Sequence, residues 1–266
     1  MKRNFYPGEE WLYYKIYLSP NIANRVLNNI LYPLIENFCK KKIIDQWFFI
    51  RYSDPDFHIR LRLKLNSINF LGEVINELYA AVKCETENKT IYKIQLDTYI
   101  REIERYGIDT IERCEYFFYQ DSEYVHKLLS NYLLNEWDTI LDCIKWVTQF
   151  LKTLEFSNLE IYDFSQTNSK LYNNEFKLSN EQIAGINLKY RKSKSDILKA
   201  ISIENSDKNC NYSNIDWLIR LKNKKNIISS LIHMHMNRTF SINQRIYECF
   251  IYNFIKKGME SLIHQE

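Results

Sequence analysis

The chain has 266 residues, 45% of them hydrophobic, enough to fill a substantial core in one large domain or two small ones. Its 36 Lys and Arg against 33 Asp and Glu leave a formal net charge of +3, well short of the basic excess that phosphate-backbone binding needs, so direct nucleic-acid binding is disfavoured. No stretch approaches the ~18 apolar residues of a membrane helix and no apolar segment follows Met1-Lys2-Arg3, so a cytoplasmic protein without a membrane partner is expected.

Trp11–Leu18 is aromatic and β-branched, which predicts a first strand, and Ser19-Pro20 puts a cap and a proline at the head of a helix. Ile22, Val26, Leu27, Ile30, Leu31, Leu34, Ile35 and Phe38 keep helical spacing to about Cys39, with a kink expected at Pro33. Residues 46–52 read as a strand, Ser53-Asp54-Pro55-Asp56 as a turn and Phe57–Leu65 as the return strand of a hairpin. A helix over 68–82 and a short strand over 90–96 follow. The fold class is α+β: an antiparallel or mixed sheet near the N-terminal half, covered by helices on one face, and a mostly helical C-terminal half.

Beyond Asp97 the strands fade. Residues 99–106 predict a helical turn or two stopped by Gly107, and 109–119 and 122–134 predict further helices. Trp137, Ile140, Leu141, Ile144, Val147, Leu151 and Leu154 mark a long amphipathic helix. Residues 157–179, rich in Asn and Ser, predict an irregular excursion. Residues 183–203 are partly helical, 207–209 form a loop, and a helical pattern resumes over 215–236. Ser241-Ile242-Asn243-Gln244 has capping-box spacing ahead of a closing helix over 245–263.

Six scattered cysteines, Cys39, Cys84, Cys114, Cys143, Cys210 and Cys249, make no C-x-x-C and no compact His/Cys cluster, and read as buried thiols in a reducing compartment. There is no G-x-G-x-x-G, P-loop, G-x-S-x-G or H-E-x-x-H, so hydride transfer, ATP use and serine hydrolysis lack support and no cofactor or metal is expected.

Three constellations bear chemistry. In Phe57–Leu65 the apolar residues alternate with His58, Arg60, Arg62 and Lys64, which therefore share one face of a strand. Arg60 and Arg62 would lie ~7 Å apart and could grip one carboxylate or two neighbouring anionic groups, or the face could be the solvated side of an edge strand. Glu102 and Arg105 are i and i+3 on a helix and pair locally, either to fix a guanidinium or as an ordinary surface ion pair. His233 and His235, in Ser229-Ser230-Leu231-Ile232-His233-Met234-His235-Met236-Asn237-Arg238, point apart on a helix and have no carboxylate or Cys at ligand spacing, which argues against a metal site. They are either a base and its neighbour or a satisfied core pair.

Taken together, Trp11-x-Tyr13-x-Lys15-Ile16-Tyr17, Phe49-Ile50-Arg51-Tyr52-x-Asp54-Pro55-x-x-His58-Ile59-Arg60-Leu61-Arg62, Glu102-x-x-Arg105-Tyr106-Gly107, Asp121-Ser122 and His233-Met234-His235-x-Asn237-Arg238 resemble the thiopeptide-type bacteriocin biosynthesis domain. That domain is the C-terminal glutamate-elimination domain of class I lantibiotic dehydratases, also found free-standing. The likeness covers about residues 11–263, as a single domain, and departs at Ile108, where the family often has a second glycine.

The resemblance implies β-elimination of glutamate from glutamylated Ser or Thr of a precursor peptide, leaving dehydroalanine or dehydrobutyrine. It implies a split system in which a separate subunit glutamylates the peptide from glutamyl-tRNA, and it leaves room for a homodimer. Elimination needs a base for the Cα proton, stabilisation of developing negative charge and a grip on a departing carboxylate. On the family's pattern, Arg60 and Arg62 take the glutamyl group, Arg105 joins them oriented by Glu102, and His233 is the base. His235 is the alternative base, and Asn237 and Arg238 support. The four would face one cavity. Two rival readings stand beside this one: a pyridine synthase that joins two dehydroalanines and expels the leader peptide, and a non-catalytic subunit that binds leader peptide or docks the glutamylating enzyme.

Overall fold

The computed structural model describes residues 1–130, 135–202, 212, 215–220 and 225–264. They fall into two compact units, one of Met1–Tyr132 with Asn237–Ile242, the other of Leu133–Met236 with Asn243–Glu266.

The first unit is built on a four-stranded antiparallel sheet of β2 (Trp11–Leu18), β3 (Ile44–Ser53), β4 (Phe57–Leu65) and β5 (Ile91–Asp97), in the order β3-β4-β2-β5. A second ribbon pairs β1 (Asn4–Phe5) with β6 (Tyr99–Ile100). The helical run after Ser19 is α1 (Pro20–Val26), a π turn over Leu27–Leu31 and α2 (Tyr32–Lys40). The disturbance expected at Pro33 thus takes the form of a π turn just before it, with Tyr32 N–H donating to the Leu27 carbonyl. α3 (Leu71–Glu87) is amphipathic, burying Val74, Leu78 and Val82. One sheet face, with Leu12, Ile16, Ile59, Leu61, Leu63, Trp47 and Phe49, joins residues of α1, α2 and α3 in a single core.

The other face is also largely covered, contrary to the one-sided sheet expected. Along β2 only Lys15 is less than buried, and Trp11 and Phe48 pack edge-on, with Tyr99 and Phe118 closing over them. Phe118 comes from α5 (Ile111–Leu129), one unbroken helix where two were expected. Its buried Asp121 and Ser122 look like a break in sequence, but Ser122 Oγ donates to the Phe118 carbonyl and Asp121 is ion-paired, so the helix continues through them. Residues 131–134 lie outside the described residues. The segment before α5 is mostly not helical: only α4 (Ile103–Tyr106) forms, because Tyr99 and Ile100 are drawn into pairing with β1. Gly107 ends it at φ +83°, where a Cβ would meet Thr110 Oγ1 at 2.9 Å.

The second unit is helical: α6 (Glu136–Thr153), α7 (Asn158–Glu175), α8 (Asn180–Lys192), α9 (Lys194–Ser202), α10 (Asp216–Ile219), α11 (Lys225–Thr239, whose last residues belong to the first unit) and α12 (Gln244–Ile263). α7 replaces the predicted irregular excursion. Composition hid it, yet Ser157 and Glu160 form a reciprocal capping box, and Ile161, Phe164, Asn168 and Tyr172 keep helical spacing on its buried side. Contrary to its capping-box spacing, Ser241 is not the cap residue of α12. Asn243, in the left-handed region, is the cap residue of α12, and Ser241 Oγ is engaged by Arg51. The loop at 207–209 and Cys210 lie outside the described residues. Of the other cysteines all five are free thiols, but Cys84 is exposed and Cys39 only half-buried, so the expectation of uniform burial fails at these two. Among the described residues no helix is long and apolar enough to cross a membrane.

Candidate active site

β4 is an interior strand, paired with β2 on one side and β3 on the other, so the edge-strand reading of its cationic face fails. In register, His58 faces Tyr17 and Tyr52, Arg60 faces Lys15 and Ile50, and Arg62 faces Tyr13 and Phe48. Alternation puts all of these on the sheet face opposite the aliphatic core.

Arg62 is only 7% exposed. Its guanidinium lies over Tyr13 at 4.5 Å, Tyr99 at 4.8 Å and Phe48 at 5.1 Å, an aromatic box that favours a cation by about 0.5–2 kcal/mol per good contact. The box supplies no acceptor for Nε, which has no hydrogen-bond partner. Arg60, half-buried, lies over Tyr52 at 3.4 Å and donates from Nε to His58 Nε2 at 3.1 Å. Among the described residues no carboxylate pairs with either arginine. The acid on this face, Asp97, is taken by Lys15, whose ammonium forms an ion pair with it. Lys64 at the far end is paired with Asp45. The face therefore carries two arginines that, among the described residues, make no ion pair with a carboxylate, Asp97 acting on Arg60 only at longer range.

Arg105 does form the local pair with Glu102, Nη1 to Oε2 at 3.2 Å, but both side chains are about half exposed, and the short helix that carries them is a single turn. Its neighbour Arg101 is the buried one: 3% exposed, it donates from Nε and Nη2 to Glu115 at 2.7 Å each and from Nη1 to Glu112. Glu115 also accepts from Tyr99 at 2.6 Å, which holds one wall of the Arg62 box.

Asn237 and Arg238 lock β3 in place. The Asn237 side-chain amide accepts from Arg51 N–H at 2.7 Å and donates to the Arg51 carbonyl at 2.8 Å, in the manner of a strand partner. The Arg51 guanidinium, 1% exposed, donates to the Arg238 carbonyl, Ser241 Oγ and Asn24 Oδ1, and burial pushes it down to about 9. Arg238 itself is fully buried and pairs with the equally buried Asp121 at 2.8 Å.

In the second unit His233 is partly exposed and donates from Nδ1 to Glu248 Oε2 at 2.8 Å, while Glu248 is 1% exposed and also accepts from the Tyr172 hydroxyl. The carboxylate fixes the tautomer and leaves the Nε2 lone pair of His233 as the basic site. His235 is fully buried, stacked on Trp146 with centroids 3.7 Å apart. A cleft of about 810 Å3 in this unit, walled by Trp137, Ile140, Phe176, Ile186, Phe250 and Phe254, is lined by none of the candidate residues.

Sequence reasoning missed Glu248, the aromatic box and the Lys15–Asp97 pair. Glu248 carried one usable signal: an acid inside the run Tyr247-Glu248-Cys249-Phe250-Ile251-Tyr252 falls on a helix face that must be buried and needs a partner.

The comparisons agree with one another. Nisin biosynthesis protein NisB of Lactococcus lactis subsp. lactis is 29% identical over 269 residues, covering 96% of this chain and 26% of NisB. The chain spans about a quarter of the length of the curated relatives it matches. The tRNA-dependent lantibiotic dehydratase MibB from Microbispora sp. 107891 shares the fold with a TM-score of 0.63 at 16% identity, over 97% of this chain and 29% of MibB. TbtD, a pyridine synthase from thiomuracin biosynthesis, does so with a TM-score of 0.69 at 10% identity, over 97% of this chain and 100% of TbtD. The family described as lantibiotic biosynthesis dehydratase C-term matches residues 11–259, across both units, and the chain belongs to it.

Proposed function

We propose that this protein is a lyase that eliminates glutamate from glutamylated Ser or Thr of a ribosomally made precursor peptide, leaving dehydroalanine or dehydrobutyrine. The observation that carries this reading is the pair Arg60 and Arg62, on one face of an interior strand, with no carboxylate ion pair among the described residues while the nearby Asp97 pairs directly with Lys15. Keeping a buried guanidinium unpaired costs stability, and a site that binds an anion is the functional reason to retain one.

In this reading Arg60 and Arg62 hold the glutamyl carboxylate and the negative charge that develops on the peptide, with the exposed Arg105 reaching the same substrate. His233 Nε2 takes the Cα proton, the electrons of that bond form the Cα–Cβ double bond, and the Cβ–O bond breaks. Glutamate leaves as a stable carboxylate, so no strong general acid is needed. Glu248 holds the His233 ring and stabilises the imidazolium that forms. The burial of His235 against Trp146 favours His233 as the base. The substrate would come from a glutamyl-tRNA-dependent glutamylating activity. The identity with NisB supports this assignment, and the likeness of fold to TbtD supports pyridine synthesis as the second reading.

The test is incubation of the purified protein with glutamylated precursor peptide. Elimination releases free glutamate and lowers the peptide mass accordingly, and Arg62 or His233 variants accumulate the glutamylated peptide. An untouched glutamylated peptide, together with ring formation from a dehydrated one, establishes the second reading instead. If dehydration survives loss of both side chains, the protein is a docking subunit.

A further inference from the structure

His58 is 1% exposed, too buried to meet a peptide, and it stands beside one of the two unpaired arginines. Its ring is flanked by Tyr17, with centroids 4.6 Å apart, and by Tyr52, edge-on at 5.6 Å. Both ring nitrogens are engaged. Nδ1 lies 2.8 Å from the Asp56 carbonyl, which can only accept, so Nδ1 carries the proton. Nε2 lies 3.1 Å from Arg60 Nε, which can only donate, so Nε2 must offer its lone pair. Only the neutral, Nδ1-protonated imidazole satisfies both contacts.

We infer that His58 is the positioning residue for Arg60: a neutral imidazole, its tautomer fixed by the Asp56 carbonyl, that holds the guanidinium flat over Tyr52 with its two Nη edges free for an anion. A guanidinium that spends Nε on a fixed acceptor loses one of its degrees of freedom before the ligand arrives and keeps the fork intact. The same bond makes the arrangement pH-dependent. Burial lowers the affinity of the ring for a second proton, the Asp56 bond partly offsets this, and Arg60 and Lys15 disfavour the added charge while Asp54 favours it. Tyr17 and Tyr52 complete the wall, with the Lys93 ammonium over the outer side of Tyr17 at 4.9 Å. The hold on Arg60 is therefore complete above the titration of His58, which lies below the usual value near 6.5, and is lost as pH falls through it, when Nε2–H would confront Nε–H.

The inference deepens the elimination reading and rests on it for its assay, so one measurement is independent of substrate. 15N NMR of the intact protein at pH 7.5 should show the His58 ring neutral with the proton on Nδ1; a charged ring or an Nε2-protonated one overturns the inference whatever the reaction proves to be. In the glutamate-release assay His58→Phe, which keeps the ring stack and removes the acceptor, should raise KM for glutamylated peptide about tenfold, the scale of one hydrogen bond to a charged group. His58→Gln, which returns an acceptor near the position of Nε2, should stay within about threefold of the parent and should lose the rise in KM that the parent shows as pH falls below the usual histidine range. Unchanged KM in His58→Phe, or a fall in kcat alone that His58→Gln does not rescue, would assign His58 to packing and not to Arg60. If the parent protein releases no glutamate at all, the elimination reading fails and the NMR result decides His58 by itself.

Discussion

Two sets of arginines in the first unit are buried under opposite rules. Arg101 and Arg238 have carboxylates at 2.7 and 2.8 Å, Glu115 and Asp121, as buried as they are. Arg51 has neutral acceptors on all three guanidinium nitrogens. These three join elements far apart in sequence and hold them. Arg62 is buried to nearly the same degree yet has aromatic faces in place of a carboxylate, and its Nε has no partner. Burial does not separate a structural arginine from a ligand-binding one. The test is whether the protein itself satisfies the guanidinium, by a carboxylate or by acceptors on its nitrogens, because a desolvated cation held by aromatic faces alone is left with hydrogen-bonding capacity that a ligand can take up.

Breaking the structural set should have the largest effect. Asp121→Ala strands Arg238 without its carboxylate and should lower stability by about 3–5 kcal/mol, read from the urea midpoint. A loss below about 1 kcal/mol would place Arg238 in the same class as Arg62. The reverse substitution sharpens the contrast: Arg62→Met keeps the apolar stem inside the aromatic box and removes the unpaired charge. It should reduce glutamate release by about 10²–10³-fold while leaving the denaturation midpoint equal or higher. A midpoint that falls with activity would mean that Arg62 is structural after all. Glu248→Gln, which retains a hydrogen-bonding group at His233 but not its charge, should slow elimination by about tenfold with little change in KM.

The smallest effect belongs to an exposed pair. Arg25 and Glu85 meet through two parallel hydrogen bonds of 2.9 and 2.8 Å at the surface, and the bond from Arg25 holds the Glu85 carboxyl below its ordinary range. A depressed carboxylate contributes stability above its unfolded value near 4.5 and loses it as pH falls through the lower folded value. Solvent screening keeps that contribution under about 1 kcal/mol, so Glu85→Gln should shift the midpoint only slightly at pH 7 and not at all at pH 2.

The legible parts of this chain share one property: the signal is local. The two-residue period of Phe57–Leu65 and the turn before it give the hairpin, the face and the pair Arg60 and Arg62, because alternation alone sorts strand side chains. The spacing of Glu102 and Arg105 gives their ion pair, as found. Where local composition and tertiary demand diverge, sequence reasoning errs. α7 is rich in Asn and Ser, yet Ser165, Asn168 and Ser169 are buried in the second unit, where Asn168 Nδ2 and Ser169 Oγ donate to the Phe164 and Gln166 carbonyls of their own helix. Ser241 has the spacing of a cap and is used instead by Arg51, 190 residues away in sequence.

The sequence by itself determined the α+β class, the cationic strand and, through the order of its motifs, the family. Only the tertiary structure decided which cations are spent and which are free. Lys15 with Asp97, Arg101 with Glu115, Arg238 with Asp121 and His233 with Glu248 are partners separated by 14 to 117 residues, and no period or spacing along the chain encodes such a meeting. Alternation fixes the direction of a side chain because it follows from backbone geometry, whereas neutralisation depends on what the fold brings to meet it.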